Sequence, residues 1–134
     1  MFFNFFKRKE AVYGYEHLLK FLKRSNLPYR ENQETIRWDF NNVRFGTFKK
    51  EEDEVALFTY LPETPHSQQV LQMLCDRFND ISPNTVQFLA YAEGKVCHRV
   101  VFTPNKNTSS EEWKSKFIQM IKSVQIFVKA IEAI

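Results

Sequence analysis

At 134 residues, with 43% hydrophobic and 26% charged side chains and a formal net charge of +3, the chain has the size and balance of one globular domain, residues 1–134. Its three glycines, Gly14, Gly46 and Gly94, are scattered, which excludes a glycine-rich phosphate loop and a dinucleotide fingerprint. Phe is abundant instead, at 14 residues, and the two cysteines, Cys75 and Cys97, stand outside any CxxC spacing and read as reduced thiols of a cytoplasmic protein.

The charge is segmental: residues 1–50 carry 11 basic and 5 acidic groups, 51–94 carry 1 and 8, and 95–134 carry 7 and 3. Such runs read first as solvated faces, and +3 does not point to nucleic acid. Residues 1–10 are set apart as an N-terminal tip open to disorder. There Phe2, Phe3, Phe5 and Phe6 precede Lys7, Arg8 and Lys9, the reverse of an export signal, and the cluster is kept only as a candidate membrane contact. No stretch approaches the ~20 apolar residues of a membrane span, so a soluble protein is expected.

Val12, Tyr15, Leu18, Leu19 and Leu22 recur at helical spacing and predict a first amphipathic helix, stopped near Ser25-Asn26 with Pro28 beyond. From Thr35 the period changes to two. Ile36, Trp38 and Phe40, then Asn41-Asn42, then Val43, Phe45 and Thr47 predict a tight hairpin in which Trp38 faces Phe45 and Asp39 meets Arg44 on the other surface. After the charged loop Lys49–Glu54, Val55 to Leu61 is apolar on both faces, as a covered or central strand requires.

Thr64 is placed as cap of a second helix with Pro65 at its first position and Val70, Leu71, Leu74, Phe78 and Ile81 as its stripe. Thr85–Ala92 and Val96–Thr103 form a second hairpin around Glu93-Gly94, in which a two-residue loop sets Leu89 opposite His98 and Phe88 opposite Arg99. Ser109-x-x-Glu112 is a capping box opening a long last helix with the stripe Trp113, Phe117, Met120, Val124, Phe127, Val128 and Ile131. Ile118, Ile126, Ala130 and Ala133 fall off that stripe and suggest a contact with another subunit or a ligand.

The predicted class is α+β, in the order α-β-β-β-α-β-β-α, an antiparallel sheet packed by helices. This order, carried by the first helix, the Trp38–Phe45 hairpin, the Val55–Leu61 strand, the Pro65–Asn79 helix, the Thr85–Thr103 hairpin and the long last helix, resembles the type III secretion chaperone-like fold, which includes the YbjN-like family of small bacterial proteins. The resemblance is one of topology. It implies a non-enzymatic, dimer-forming module that holds partner segments on apolar patches or serves a regulatory role, and it transfers no site residues.

Groups capable of chemistry are dispersed. His17, His66 and His98 show no metal-ligand spacing, and His98 reads as a satisfied sheet histidine. Cys97 and His98, adjacent on a strand, point to opposite faces and cannot form a dyad. Glu51–Glu54 lack the spacing of a calcium loop, and Asp76 and Asp80 lie on a polar helix side. Arg37, Arg44 and Phe48 share one surface with Asp39, which together with the missing glycine-aromatic signature turns the reading away from single-stranded nucleic acid.

The first expectation is therefore a homodimeric protein- or peptide-binding module with Phe48, Phe58, Tyr60, Ile118 and Ile126 as apolar contacts, no catalytic residues, no metal and no cofactor. Two alternatives are kept: a small enzyme or metal-dependent sensor using His98 or His66, and a peripheral membrane adaptor anchored by Phe2, Phe3, Phe5 and Phe6.

Overall fold

A computed structural model describes residues 12–134; the N-terminal tip with its four Phe residues lies outside the described residues. Among those described, three helices, α1 (Gly14–Arg24), α2 (Gln68–Asp80) and α3 (Ser110–Glu132), pack on a six-stranded sheet of α+β class. The strands are β1 (Tyr29–Glu31), β2 (Thr35–Phe40), β3 (Val43–Phe48), β4 (Val55–Tyr60), β5 (Val86–Ala92) and β6 (Lys95–Phe102). They are antiparallel throughout and lie in the order β1-β2-β3-β4-β6-β5.

Alternation along each strand decides what is buried. Ile36, Trp38, Phe45, Leu57, Phe88, Val96 and Val100 all point to one face, and the helices cover that face. Helix α3 crosses its whole width: Trp113, Phe117 and Met120 pack with Leu18, Phe21 and Leu22 of α1, while Phe127 and Ile131 pack with Leu71 and Cys75 of α2. The Phe117 ring meets Phe21, Trp38, Phe40 and Phe45 at centroid distances of 5.8, 5.5, 5.4 and 5.0 Å.

The first hairpin has the expected register, Trp38 opposite Phe45 and Asp39 opposite Arg44, because Asn41 and Asn42 both accept positive φ, 50° and 62°, in the two-residue turn. Five details differ from the sequence reading. Helix α1 begins at Gly14, so Val12 precedes it, and Phe21 joins Leu18 and Leu22 as a buried residue. Strand β1 was not expected; it is three residues long and pairs only with β2.

Helix α2 is capped by Ser67, whose Oγ accepts the Val70 N–H at 3.2 Å, and not by Thr64. Thr64 closes a turn with the His66 N–H at 3.1 Å, and its own N–H donates to the Gly94 carbonyl. Because α2 lies over one edge strand, only a narrow stripe is covered. Leu71 and Cys75 are buried, whereas Val70 and Ile81 of the expected stripe are exposed.

In the second hairpin the Glu93-Gly94 turn is as expected, with Gly94 at φ 70°, but Phe88 pairs with His98 and Leu89 with Cys97. A bulge at Tyr91 absorbs one residue between Ala90 and Ala92 and so exchanges the two faces of β5 relative to the expected register. A Cβ on Gly94 would collide with the Thr64 carbonyl, a second reason for glycine there.

The outer edge of β5 is met by side chains of α2. The Asn79 amide donates to the Phe88 carbonyl at 2.9 Å and accepts the Phe88 N–H at 2.8 Å; Gln68 Nε2 donates to the Ala90 carbonyl at 3.1 Å.

Candidate functional site

No helix among the described residues packs on the second face of the sheet, and that face carries the exposed aromatic residues. Register fixes its layout. One transverse row runs Arg30, Arg37, Gly46, Phe58, Arg99, Gln87 across all six strands. On one side of this row lie Phe48 and Ala56, and on the other Asp39, Arg44, Tyr60, Cys97 and Leu89. Phe48, Tyr60, Leu89 and Tyr91 are 47%, 51%, 51% and 44% exposed. Phe58 is half-buried beneath Phe48, edge to face at 5.7 Å, and Tyr60 meets Tyr91 in the same manner at 5.9 Å.

Gly46 leaves a gap in this surface. A cavity of about 180 Å³ stands over it, walled by Arg37, Arg44, Phe48, Phe58 and Tyr60. A neighbouring cavity of about 220 Å³ is lined by Pro28, Arg30, Arg37, Asp39 and Arg44. The two share Arg37 and Arg44, so one surface offers guanidinium groups on one side and aromatic walls on the other.

The electrostatics are unbalanced. Arg30 stands directly opposite Arg37, and like charges in a cross-strand pair are unfavourable. Arg44 reaches Asp39 at 3.6 Å with both side chains more than half exposed, whereas Arg30, Arg37 and Arg99 make no ion pair among the described residues. Desolvation raises the Tyr60 and Tyr91 phenols above their ordinary value, so both stay neutral hydrogen-bonding groups near neutral pH.

The structure brings Phe48, Phe58 and Tyr60 together on this face. Ile118 and Ile126, 40% and 60% exposed, belong to α3 on the opposite side of the sheet and share no surface with them. The sequence reading missed Arg30, Arg99, Leu89 and Tyr91. For Arg30 no periodicity was available in a three-residue strand; Leu89 and Tyr91 reach this face through the bulge, which no period announces, and Arg99 joins it through the pairing of β4 with β6.

The remaining candidates lie elsewhere. His98 is 1% exposed in the helix-covered core, its ring 4.4 Å from Phe88. It is buried as expected but not satisfied: neither ring nitrogen has a hydrogen-bond partner, nor does the buried Thr59 Oγ1 of its cross-strand neighbour. Burial lowers its pKa to about 4. His66 lines a separate cavity with Pro62, Pro65, Val128 and Ile131.

Cys97 faces the open side yet is 5% exposed, and burial raises its thiol pKa; burial pushes Cys75 up to about 12. Both cysteines are free. Among the described residues no group of three or more His, Cys, Asp or Glu is placed to hold a metal ion, and no helix is long and apolar enough to cross a membrane. Comparisons with protein-family models, with curated proteins and with solved structures find no match.

Proposed function

We propose that the chain is a non-enzymatic binding module that receives an extended segment of a partner protein on the open face of its sheet, in a chaperone-like or regulatory role. The observation that carries this reading is the Arg30–Arg37 pair set beside the aromatic-walled gap over Gly46. A carboxylate from the partner would neutralise two opposed guanidinium groups and accept paired hydrogen bonds from them. An apolar side chain two residues further along the extended segment, ~7 Å away on the same face, would reach the gap between Arg37 on β2 and Phe58 on β4.

Supporting the absence of catalysis, the thiols of Cys75 and Cys97 are held in their neutral forms and the His98 imidazole is shut in the core. The order α-β-β-β-α-β-β-α, with β1 added, supports the chaperone-like, YbjN-like part of the proposal. The homodimer belongs to the same proposal and uses the exposed Ile118 and Ile126 of α3, leaving the open face free; static light scattering that reads a single-chain mass removes it.

The binding reading is tested by titrating ¹⁵N-labelled protein with a peptide in which Asp or Glu and Leu or Phe take turns at every second position, with Ser between them, and with a copy carrying Lys for each acidic residue. Shifts at the Arg37, Gly46 and Phe58 amides with the acidic peptide only, abolished by Arg37→Glu, are the expected result. Equal response to the basic copy, shifts confined to the helices, or tighter response to a single-stranded RNA oligomer would overturn it.

A further inference from the structure

Gly46 has a different kind of neighbour at each of two opposite corners. Phe58 stands across from it on β4 and Phe48 two residues further along β3, while Arg37 stands across from it on β2 and Arg44 two residues back. These positions are ~5 Å away across the strands and ~7 Å away along them, and all four side chains wall the cavity over Gly46. Neither crowding nor backbone demands glycine here. A Cβ would meet nothing nearer than the Ile36 carbonyl at 3.7 Å and Arg37 Cγ at 3.9 Å, and φ is not positive. The missing side chain leaves a seat that is aromatic at one corner and cationic at the other.

The cationic corner continues into the neighbouring cavity, where Arg30, Arg37 and Arg44 meet one carboxylate, Asp39. Arg44 reaches that carboxylate in an exposed pair, a contact worth little in water. Arg30 and Arg37 have no ion-pair partner among the described residues. Three guanidinium groups against one carboxylate leave two positive charges in excess beside the seat.

We infer that the side chain received over Gly46 is a phosphorylated tyrosine of the partner segment, an inference that rests on the open face being the partner-binding surface. A phosphate monoester carries about −1.5 to −2 charge at neutral pH and three strong acceptor oxygens, where a carboxylate carries about −1 and has two. It matches the excess, and paired hydrogen bonds from arginine are suited to its geometry. The ring fills the seat beside Phe48 and Phe58 and directs its para oxygen to the corner between Arg37 and Arg44.

Phosphoserine would reach the arginines and leave the aromatic corner empty. A nucleotide also joins a ring to a phosphate, but the cavity of about 180 Å³ is close to the ~150 Å³ that holds one benzene ring. No amide or carboxylate side chain lines it to read the edge of a base.

The test is calorimetric titration of the full chain with a Ser-rich peptide carrying phosphotyrosine, tyrosine or phosphoserine at its centre, and with the acidic peptide used above. The phosphotyrosine peptide should bind on the order of tenfold tighter than any of the other three. Arg37→Gln should weaken it on the order of thirtyfold. Gly46→Val, which the strand has room for, should fill the seat, so that phosphotyrosine falls to the affinity of phosphoserine while phosphoserine itself is unchanged. Phenyl phosphate should displace the peptide more effectively than adenosine monophosphate.

Equal binding of phosphoserine and phosphotyrosine, indifference to Gly46→Val, or stronger displacement by adenosine monophosphate would each overturn the inference. Binding of the acidic peptide with no gain from phosphotyrosine overturns it and leaves the partner-binding reading standing. Failure of all four peptides overturns both.

Discussion

The two faces of the sheet are made by the same strands, residue by alternate residue, yet they differ in kind. Toward the helices, Trp38, Phe45, Leu57 and Phe88 are almost wholly buried and the polar exceptions are Thr47, Thr59 and His98. Away from them, Phe48, Tyr60, Leu89 and Tyr91 stay about half exposed among Arg30, Arg37, Arg44 and Arg99. Aromatic content hardly separates the faces. What separates them is arginine, which can lie along an apolar surface while its head stays in water and so marks the face that remains wet.

This contrast can be broken most strongly on the covered side. Phe117→Ala removes the ring on which five other aromatic groups converge, and urea unfolding should show a loss of about 3–5 kcal/mol. The next effect comes from pH. His98 has its pKa lowered to about 4 by burial against an ordinary 6.5, so its contribution is fully present above pH 6.5 and is lost as pH falls from 6.5 toward 4.

The loss amounts to ~3 kcal/mol, and His98→Leu should flatten that part of the stability–pH curve, since it also removes two unpartnered buried nitrogens. The smallest effect lies on the open face. Phe48→Ser should shift the same unfolding curve by only ~0.5 kcal/mol, and a larger loss would mean that the face is structural and not kept for a partner.

Legibility in the sequence followed locality. The first hairpin was readable to the residue because two Asn residues fixed the turn and both faces demanded one register. The second was not, because a bulge has no period and Phe88-Leu89 offers an apolar side chain to either face. The start of α2 was misplaced because Thr64 and Ser67 can both cap, and the choice is made by the distant Gly94 carbonyl that holds Thr64 in its turn.

Strand β1 exists only through its pairing with β2, which no local pattern announces. For the candidate site, Phe48, Phe58 and Tyr60 were visible as surplus apolar positions. Their union with Arg30 and Arg99 depended on strand order, β4 next to β6 and β1 beside β2, which is tertiary information.

The side-chain amides of Asn79 and Gln68 along β5 have a consequence for how this sheet meets other chains. They occupy backbone groups that an incoming strand would need, and the opposite margin is only the three residues of β1, next to Pro28 and the Glu31–Lys49 ion pair at 2.6 Å. Growth by adding strands is thus blocked on one margin and poorly templated on the other. The sheet has a fixed width, and a visitor must come down onto its plane, where arginine spacing and aromatic shape can select it, and not along its rim, where backbone pairing accepts almost any sequence.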